Sequence, residues 1–354
     1  MTRSQKLYGK TALLLAGVAA AAVLLTLVTG VDRRPAEKTR IVASFYPVYI
    51  AALNLADGIE GVEVESLTGP TTGCLHDYQL SPDNRIALSS ASVLAVNGAG
   101  AESFLADVLE ETPDLPVIDT SEGIPLLESG MEHDHGGGAH DSHDGHDSHN
   151  EHIWTSPALY HKQVENLRDG LAAADPAHAE QYRENAAHYL EEIDAVGERL
   201  RRAAASLPYQ DCIIFHDSLA YMAQDWGLTV AASLPIGEES AVAASDLAAA
   251  EEKAAEAGRV LLLYDAQYPQ EYAFVGQAAE ESRTITLDTA VTGESVKSAW
   301  LDAMTYNLSL LEETGQIQKV PSDDSRDHYD ADISCHPHFV CTCCHRVLDL
   351  KMDD

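Results

Sequence analysis

Short apolar segments typical of β-strands alternate with helical segments along two stretches of the chain. This alternation limits the fold more than any other feature. The strand-like segments are RIVASFYPVY, VEVESLT, SVLAVNG and LPVIDT in the first stretch, and CIIFHD, LTVAASL, RVLLLYD and TITLD in the second. Strands that alternate with helices form parallel sheets covered by those helices. The sequence therefore predicts an α/β protein.

A long helical segment lies between the two stretches. The segment DPAHAEQYRENAAHYLEEIDAVGERLRRAAAS has Asp175 as a candidate N-cap and Pro176 at the first helical position. A helix of about 30 residues is about 45 Å long at 1.5 Å per residue, which exceeds what one small lobe needs. A last helix is predicted within SVKSAWLDAMTYNLSLLEETG, ended by Gly315. The predicted fold is α/β with two lobes, each a parallel-sheet (β/α) sandwich, joined by one long backbone helix.

These patterns divide the chain into five predicted regions. They are an export signal or signal anchor with its linker (1–39), an N-terminal α/β lobe (40–155) that includes a His-rich loop (132–152), a helical region with the long connecting helix (156–207), a C-terminal α/β lobe (208–318), and a polar, then Cys/His-rich tail (319–354).

The N-terminal region predicts where the protein works. Basic residues precede an uncharged run from Ala12 to Val31, and Asp32, Arg33 and Arg34 follow it. A positive flank followed by an apolar run is typical of an export signal. The run is also long enough to span a bilayer as an uncleaved anchor, so both forms stay open. We expect an exported protein, tethered or free, at the extracellular face of the cytoplasmic membrane or in the periplasm.

The charge balance limits which classes of partner the protein can bind. The chain has 57 acidic residues against 22 lysines and arginines, a formal net charge of −35. A nucleic-acid partner would need a basic surface, so this class is excluded. An acidic chain favours cations, although acidic surfaces also serve solubility alone.

Three histidines lie where predicted strands meet loops. His76 follows VEVESLT, His152 ends the His-rich loop, and His216 follows CIIF. Ligands of open α/β sheets bind at the carboxyl ends of the strands. Three imidazoles plus a carboxylate or water complete a tetrahedral zinc site. These positions are candidate ligands, although their wide spacing is not a local metal motif.

The segment MEHDHGGGAHDSHDGHDSHNEHIW holds a further set of histidines directly before His152. Glycines between them give a mobile chain that holds several zinc ions loosely and has no single rigid pocket. We expect it to collect zinc near a tighter site, and the alternative is a dispensable low-complexity insert. The accessory histidines are His133, His135, His140, His143, His146 and His149.

Four motifs in order resemble the metal-binding proteins that serve ABC importers of zinc and manganese. GCLHDYQLSPD, NEHIWTSP and IIFHDSLAYMAQDWGL are similar to the three histidine motifs of that family, and LDTAVTGES to its acidic segment. The resemblance covers roughly residues 40–315. It implies His76, His152 and His216 as metal ligands and Glu294 as the fourth, with Asp77 or water as alternatives. It also implies Asp288 as a carboxylate that holds the loop.

The resemblance implies a carrier that hands its ion to an ABC importer permease with a cytoplasmic ATPase, and not an enzyme. Manganese members place a glutamate where His216 stands here. Three neutral imidazoles suit zinc better than manganese, so Zn²⁺ is the expected cargo. A manganese- or iron-type protein of the same family and a surface adhesin remain alternatives.

A zinc metallohydrolase is a further alternative, with Asp77 or Asp217 as the general base. Neither an H-E-x-x-H nor a G-x-S-x-G motif supports it. Glu294 also has a simpler interpretation, as an acidic residue in the first turn of the last helix.

The cysteines leave two questions open. Cys74 and Cys212 either pair in an oxidising compartment or stay apart, and Cys74 is also a candidate soft ligand. The tail segment CHPHFVCTCCH either binds metal or forms disulfides.

Overall fold

The computed structural model describes residues 38–73, 75, 78–128, 149–234, 236, 242–268 and 270–316, and four short strands beyond them. The described residues from Arg40 onward belong to one compact unit. The predicted export segment lies outside the described residues. Within the described ranges, no helix is long and apolar enough to cross a membrane.

The first lobe is built on a four-stranded sheet with the order β2–β1–β3–β4. β1 pairs parallel with β3, and β3 pairs parallel with β4. Every residue of β3 is buried, as expected for a parallel strand that is covered on both faces. The strands are β1 (Thr39–Ala43), β2 (Val62–Ser66), β3 (Val93–Val96) and β4 (Val117–Asp119), and the helices are α1 (Tyr46–Leu55), α2 (Pro82–Ser89) and α3 (Ala106–Glu111).

The second lobe repeats this plan with the order β6–β5–β7–β8, and all three neighbouring pairs are parallel. The helix Ala244–Ala257 is followed by Gly258, whose φ of 70° is typical of a glycine that terminates a helix. The elements are β5 (Asp211–Ile214), α6 (Ala220–Asp225), β6 (Thr229–Ser233), α7 (Ala244–Ala257), β7 (Arg259–Asp265), β8 (Glu281–Leu287) and α8 (Ala299–Gln316).

Two helices join the lobes, α4 (Pro157–Ala174) and α5 (Ala179–Ala205). The 27 residues of α5 give it a length of about 40 Å at 1.5 Å per residue. Its buried residues recur at helical spacing, and this face packs against α1, α4 and α8. A Cβ added at Gly197 would lie 2.8 Å from Pro157, so this glycine lets α4 and α5 approach closely. The predicted two-lobe α/β fold with a long linking helix is confirmed.

Several predicted boundaries are wrong. Asp175 caps the end of α4 and not the start of α5, which begins at Ala179. A residue before proline disfavours the helical region, and Asp175 has a ψ of 75°. Gly315 lies inside α8 and does not end it. The first predicted strand is too long, because α1 already begins at Tyr46.

The predicted tail contains two short antiparallel pairs. β9 (Gln318–Val320) pairs with β10 (His328–Asp330), and β11 (His338–Val340) pairs with β12 (Val347–Asp349). The cysteines of the tail lie outside the described residues. Cys212, in β5, is fully buried and carries a free thiol, and Cys74 lies outside the described residues.

Candidate metal centre

His216 lies at the carboxyl end of β5. It precedes the short 3₁₀ helix Asp217–Leu219 and is 1% exposed. Its ring stacks on Tyr268 at a centroid distance of 4.7 Å. The Ser218 N–H donates to Nδ1 over 3.0 Å, so Nε2 carries the proton of the neutral ring. An ion that binds through Nε2 therefore requires this proton to move to Nδ1 and the Ser218 bond to be given up.

His152 lies between the His-rich loop and the 3₁₀ helix Ile153–Thr155, and it is also 1% exposed. Its Nδ1 lies 3.0 Å from Asn150 Oδ1, and its Nε2 lies 3.9 Å from Glu151 Oε1. A carboxylate beside the imidazole adds negative charge where a cation would bind.

The fold brings these two rings together from different lobes. The centroids of His152 and His216 are 5.2 Å apart, and the rings are edge to face at 84°. Two imidazoles bound to one tetrahedral zinc at about 2.0–2.1 Å have ring centroids about 5 Å apart. The pair is therefore spaced so that one ion can bind both rings.

His76, Asp77 and Cys74 lie outside the described residues, but the segment before them contacts the second lobe. The Gly293 N–H donates to the Pro70 carbonyl over 3.0 Å. A Cβ added at Gly73 would lie 2.9 Å from Gln267 Oε1, so the backbone there lies directly against this side chain.

Glu294 lies in the segment between β8 and α8 and is exposed. Its backbone carbonyl accepts the Tyr46 hydroxyl over 2.6 Å. The interpretation of Glu294 as a first-turn helix acid is wrong, because α8 begins at Ala299 and its first-turn acid is Asp302. Among the described residues, no group of three or more His, Cys, Asp or Glu side chains is arranged to hold a metal ion.

Asp288 lies directly after β8, and its carboxylate accepts the Ala290 N–H over 2.8 Å. This contact restrains the loop at Ala290, whose φ is 54°. Burial raises the pKa of Asp288, and the negative charge of Asp265 adds to the shift. The predicted accessory histidines lie outside the described residues except His149, which is exposed and pairs with Glu128 through an isolated β-bridge.

Sequence reasoning missed Asp265 at the carboxyl end of β7. This aspartate is 1% exposed. It accepts the Ser218 hydroxyl (2.8 Å), the Thr289 hydroxyl (3.0 Å) and the Gln267 N–H (3.0 Å). It therefore ties the segment after His216 to the segment after β8. The strand RVLLLYD ends in this residue as CIIFH ends in His216, and the rule that ligands bind at strand ends would have found it.

Trp154 links the lobes beside this pair. Its Nε1–H donates to the Thr289 carbonyl over 2.9 Å, and its own carbonyl accepts Trp300 Nε1–H over 3.0 Å. The Trp154 ring lies 5.2 Å from the His152 ring and 4.9 Å from the Phe45 ring. These buried contacts connect Trp154 to the segment after β8 and to α8.

Comparisons with known proteins show the family and the fold. A family model described as zinc-uptake complex component A, periplasmic (ZnuA), matches residues 41–314. The chain is 30% identical over 206 residues to the iron-binding protein YfeA of Yersinia pestis, an alignment that covers 58% of this chain and 62% of that protein. It is 28% identical over 242 residues to the zinc-binding lipoprotein AdcA of Streptococcus pneumoniae, which covers 68% of this chain and 47% of AdcA. The chain thus spans about half the length of the relatives that it matches.

A solved structure shares the fold. The SBP FpvC of Pseudomonas aeruginosa in complex with Ni²⁺ has a TM-score of 0.63 and 20% sequence identity, and the match covers 79% of this chain and 97% of FpvC.

Proposed function

The chain belongs to the family of the periplasmic zinc-uptake complex component A, and from that premise we propose that it captures a zinc ion outside the cytoplasm and delivers it to a membrane ABC importer. The family consists of solute-binding proteins and not of enzymes, so the ion is a cargo and no hydrolytic step is involved. The partner is a permease with its cytoplasmic ATPase. We place the protein at the outer face of the cytoplasmic membrane or in the periplasm.

The observation that carries the proposal is the pair of buried imidazoles from opposite lobes. His152 and His216 lie 5.2 Å apart between ring centroids, a spacing that fits two ligands of one ion. His76 is the proposed third ligand, since the residues before it contact the second lobe. The fourth position goes to Glu294, Asp77 or water.

The ligand chemistry favours zinc over the harder divalent ions. Three imidazoles suit zinc, whereas carboxylate and water oxygens suit manganese. One relative is named an iron-binding protein, so iron is the second candidate cargo. The accessory histidines of the His-rich loop are proposed to raise the local zinc concentration near the tighter site.

Release requires the imidazoles to separate or to be protonated, because a metal ligand must keep its lone pair. The contacts of Trp154 with Thr289 and of Gly293 with Pro70 limit how far the lobes move. Docking on the permease is therefore proposed to shift the ligand-bearing loops rather than to swing whole lobes apart.

Competition titration with a chelator, followed by elemental analysis, tests the proposal. Zinc, manganese and ferrous iron are titrated into the wild type and into His152→Ala, His216→Ala and the exposed control His188→Ala. We expect one tight zinc equivalent that is lost in the first two variants and kept in the control. Tight binding that is unchanged in both His152→Ala and His216→Ala would refute the site. Tighter binding of iron or manganese than of zinc would refute the zinc assignment.

A further inference from the structure

Asn150 is a buried residue, 2% exposed, whose polar groups are all engaged around the histidine pair. Its backbone N–H donates to the Leu127 carbonyl (2.9 Å), and its backbone carbonyl accepts the Tyr221 hydroxyl (2.8 Å). Its Nδ2 donates to the Asp217 carbonyl over 2.8 Å. Its Oδ1 accepts the His152 N–H and also faces His152 Nδ1, each over 3.0 Å.

These partners determine which way the Asn150 amide points. A backbone carbonyl can only accept, so the group that faces Asp217 O is the NH₂. A backbone N–H can only donate, so the group that faces His152 N is the oxygen. The two contacts agree, and reversing the amide would break both.

The amide in turn fixes the tautomer of His152. An amide oxygen cannot donate, so the hydrogen bond to it requires a proton on Nδ1. In the neutral ring the lone pair then lies on Nε2. A ligand imidazole needs this state, in which one ring nitrogen donates to a partner and the other binds the ion.

The same side chain also reaches the other lobe. Asp217 directly follows His216, so the bond from Asn150 Nδ2 holds the backbone beside the second imidazole. One amide therefore orients the His152 ring and fixes its position relative to His216.

We infer that Asn150 is a positioning residue for metal binding, which selects the Nδ1–H tautomer of His152 and sets the register between the two histidines. This inference rests on the proposed function of His152 as a ligand. Asn150 does not touch the ion.

Two substitutions separate the two contributions. Asn150→Ala removes both the acceptor for Nδ1 and the link to Asp217. Asn150→Asp keeps an acceptor for Nδ1 but places a carboxylate oxygen against the Asp217 carbonyl, so only the link is lost. Asn185→Ala is the matched control, because Asn185 Nδ2 bridges the carbonyls of Leu55 and Asp57 away from the two histidines.

The first readout is the tautomer of His152 in the metal-free full chain, from long-range ¹H–¹⁵N correlation spectra. A His152→Ala spectrum identifies the signal. We expect the Nδ1–H form in the wild type, Asn150→Asp and Asn185→Ala, and a shift towards the Nε2–H form in Asn150→Ala. A purely structural role would leave the tautomer unchanged in Asn150→Ala, and that result would overturn the inference.

The second readout is zinc affinity for the first equivalent. Loss of a partner that orients a ligand costs about 10- to 100-fold in metal affinity. We expect this loss in Asn150→Ala, a smaller loss in Asn150→Asp, and none in Asn185→Ala. If His152→Ala abolishes tight binding while both Asn150 variants bind as the wild type does, this inference fails alone. If His152→Ala binds as the wild type does, the proposed ligand set fails, and the inference fails with it.

Discussion

Replacing Trp154 with phenylalanine is expected to destabilise the protein by a calculable amount. Its indole Nε1–H is the donor to the Thr289 carbonyl over 2.9 Å, and both residues are at most 2% exposed. Phenylalanine has no donor, so the carbonyl would stay buried without this partner, at a cost of about 1–3 kcal/mol. Loss of the second ring adds a packing cost.

Trp226→Phe is the matched control for the packing cost. Trp226 is 4% exposed, and its Nε1 has no hydrogen-bond partner among the residues that the structure describes. Its replacement removes the same atoms and breaks no such bond. We therefore expect Trp154→Phe to lower the free energy of unfolding by about 1–3 kcal/mol more than Trp226→Phe does. Urea denaturation followed by circular dichroism measures both, and equal losses would refute the role assigned to the Trp154 bond.

Three further predictions follow from other sites. Burial raises the pKa of Glu102 from 4.5 to about 7. The wild-type free energy of unfolding should therefore fall by up to about 3 kcal/mol between pH 4.5 and 7. Glu102→Gln should remove this pH dependence, as measured by urea titrations. Gly98→Ala should cost about 2–4 kcal/mol in the same assay, because φ is +80° and the new Cβ would overlap Asp119 Oδ1. Deletion of residues 133–149 should lower the total zinc bound in equilibrium dialysis and leave one tight equivalent.

Each of these predictions has an internal control. The free energy of unfolding falls as the pH rises because folded Glu102 keeps its proton over a pH range in which the unfolded state has lost it. Parallel pH profiles of the wild type and Glu102→Gln would contradict this prediction. Gly100 has a φ of +92° with no atom within 4 Å of an added Cβ, so Gly100→Ala measures the backbone strain alone. If deletion of residues 133–149 removes the tight zinc equivalent, the His-rich loop itself is the principal metal site.

The order of strands and helices could be predicted from the sequence because burial leaves a local pattern. The run VLLLY within RVLLLYD is apolar because β7 is covered on both faces, and the segment coincides with the observed strand. Helix ends were less predictable. Asp175 and Pro176 fit the start of α5 as well as the end of α4, and in the structure Asp175 ends α4 while α5 begins at Ala179. Gly315 shows the same limit, because it lies inside α8 although glycine is typical of the position just after a helix.

His216 follows the carboxyl end of β5 as the strand-end rule predicts, whereas His152 ends the His-rich loop. Their ring centroids lie 5.2 Å apart, and their role as ligands stays a prediction. The strand-end rule could not identify Asn150, because the Asp217 carbonyl that accepts its side-chain amide is 67 residues away in sequence. Polar pairs across lobes leave no periodic pattern. The exposure of Glu294 could not be predicted either. Glu294 lies in the segment between β8 and α8, and its position depends on α8 starting as late as Ala299.

Zinc K-edge X-ray absorption of the protein loaded with one zinc equivalent tests the central claim most directly, since it counts the ligand types. We expect nitrogen or oxygen scatterers at about 2.0–2.1 Å that include three imidazoles, and no sulfur at about 2.3 Å. The imidazole count should fall by one in each of His76→Ala, His152→Ala and His216→Ala. A sulfur shell, or an imidazole count that these substitutions leave unchanged, would place the ion elsewhere in the chain and contradict the two-lobe site.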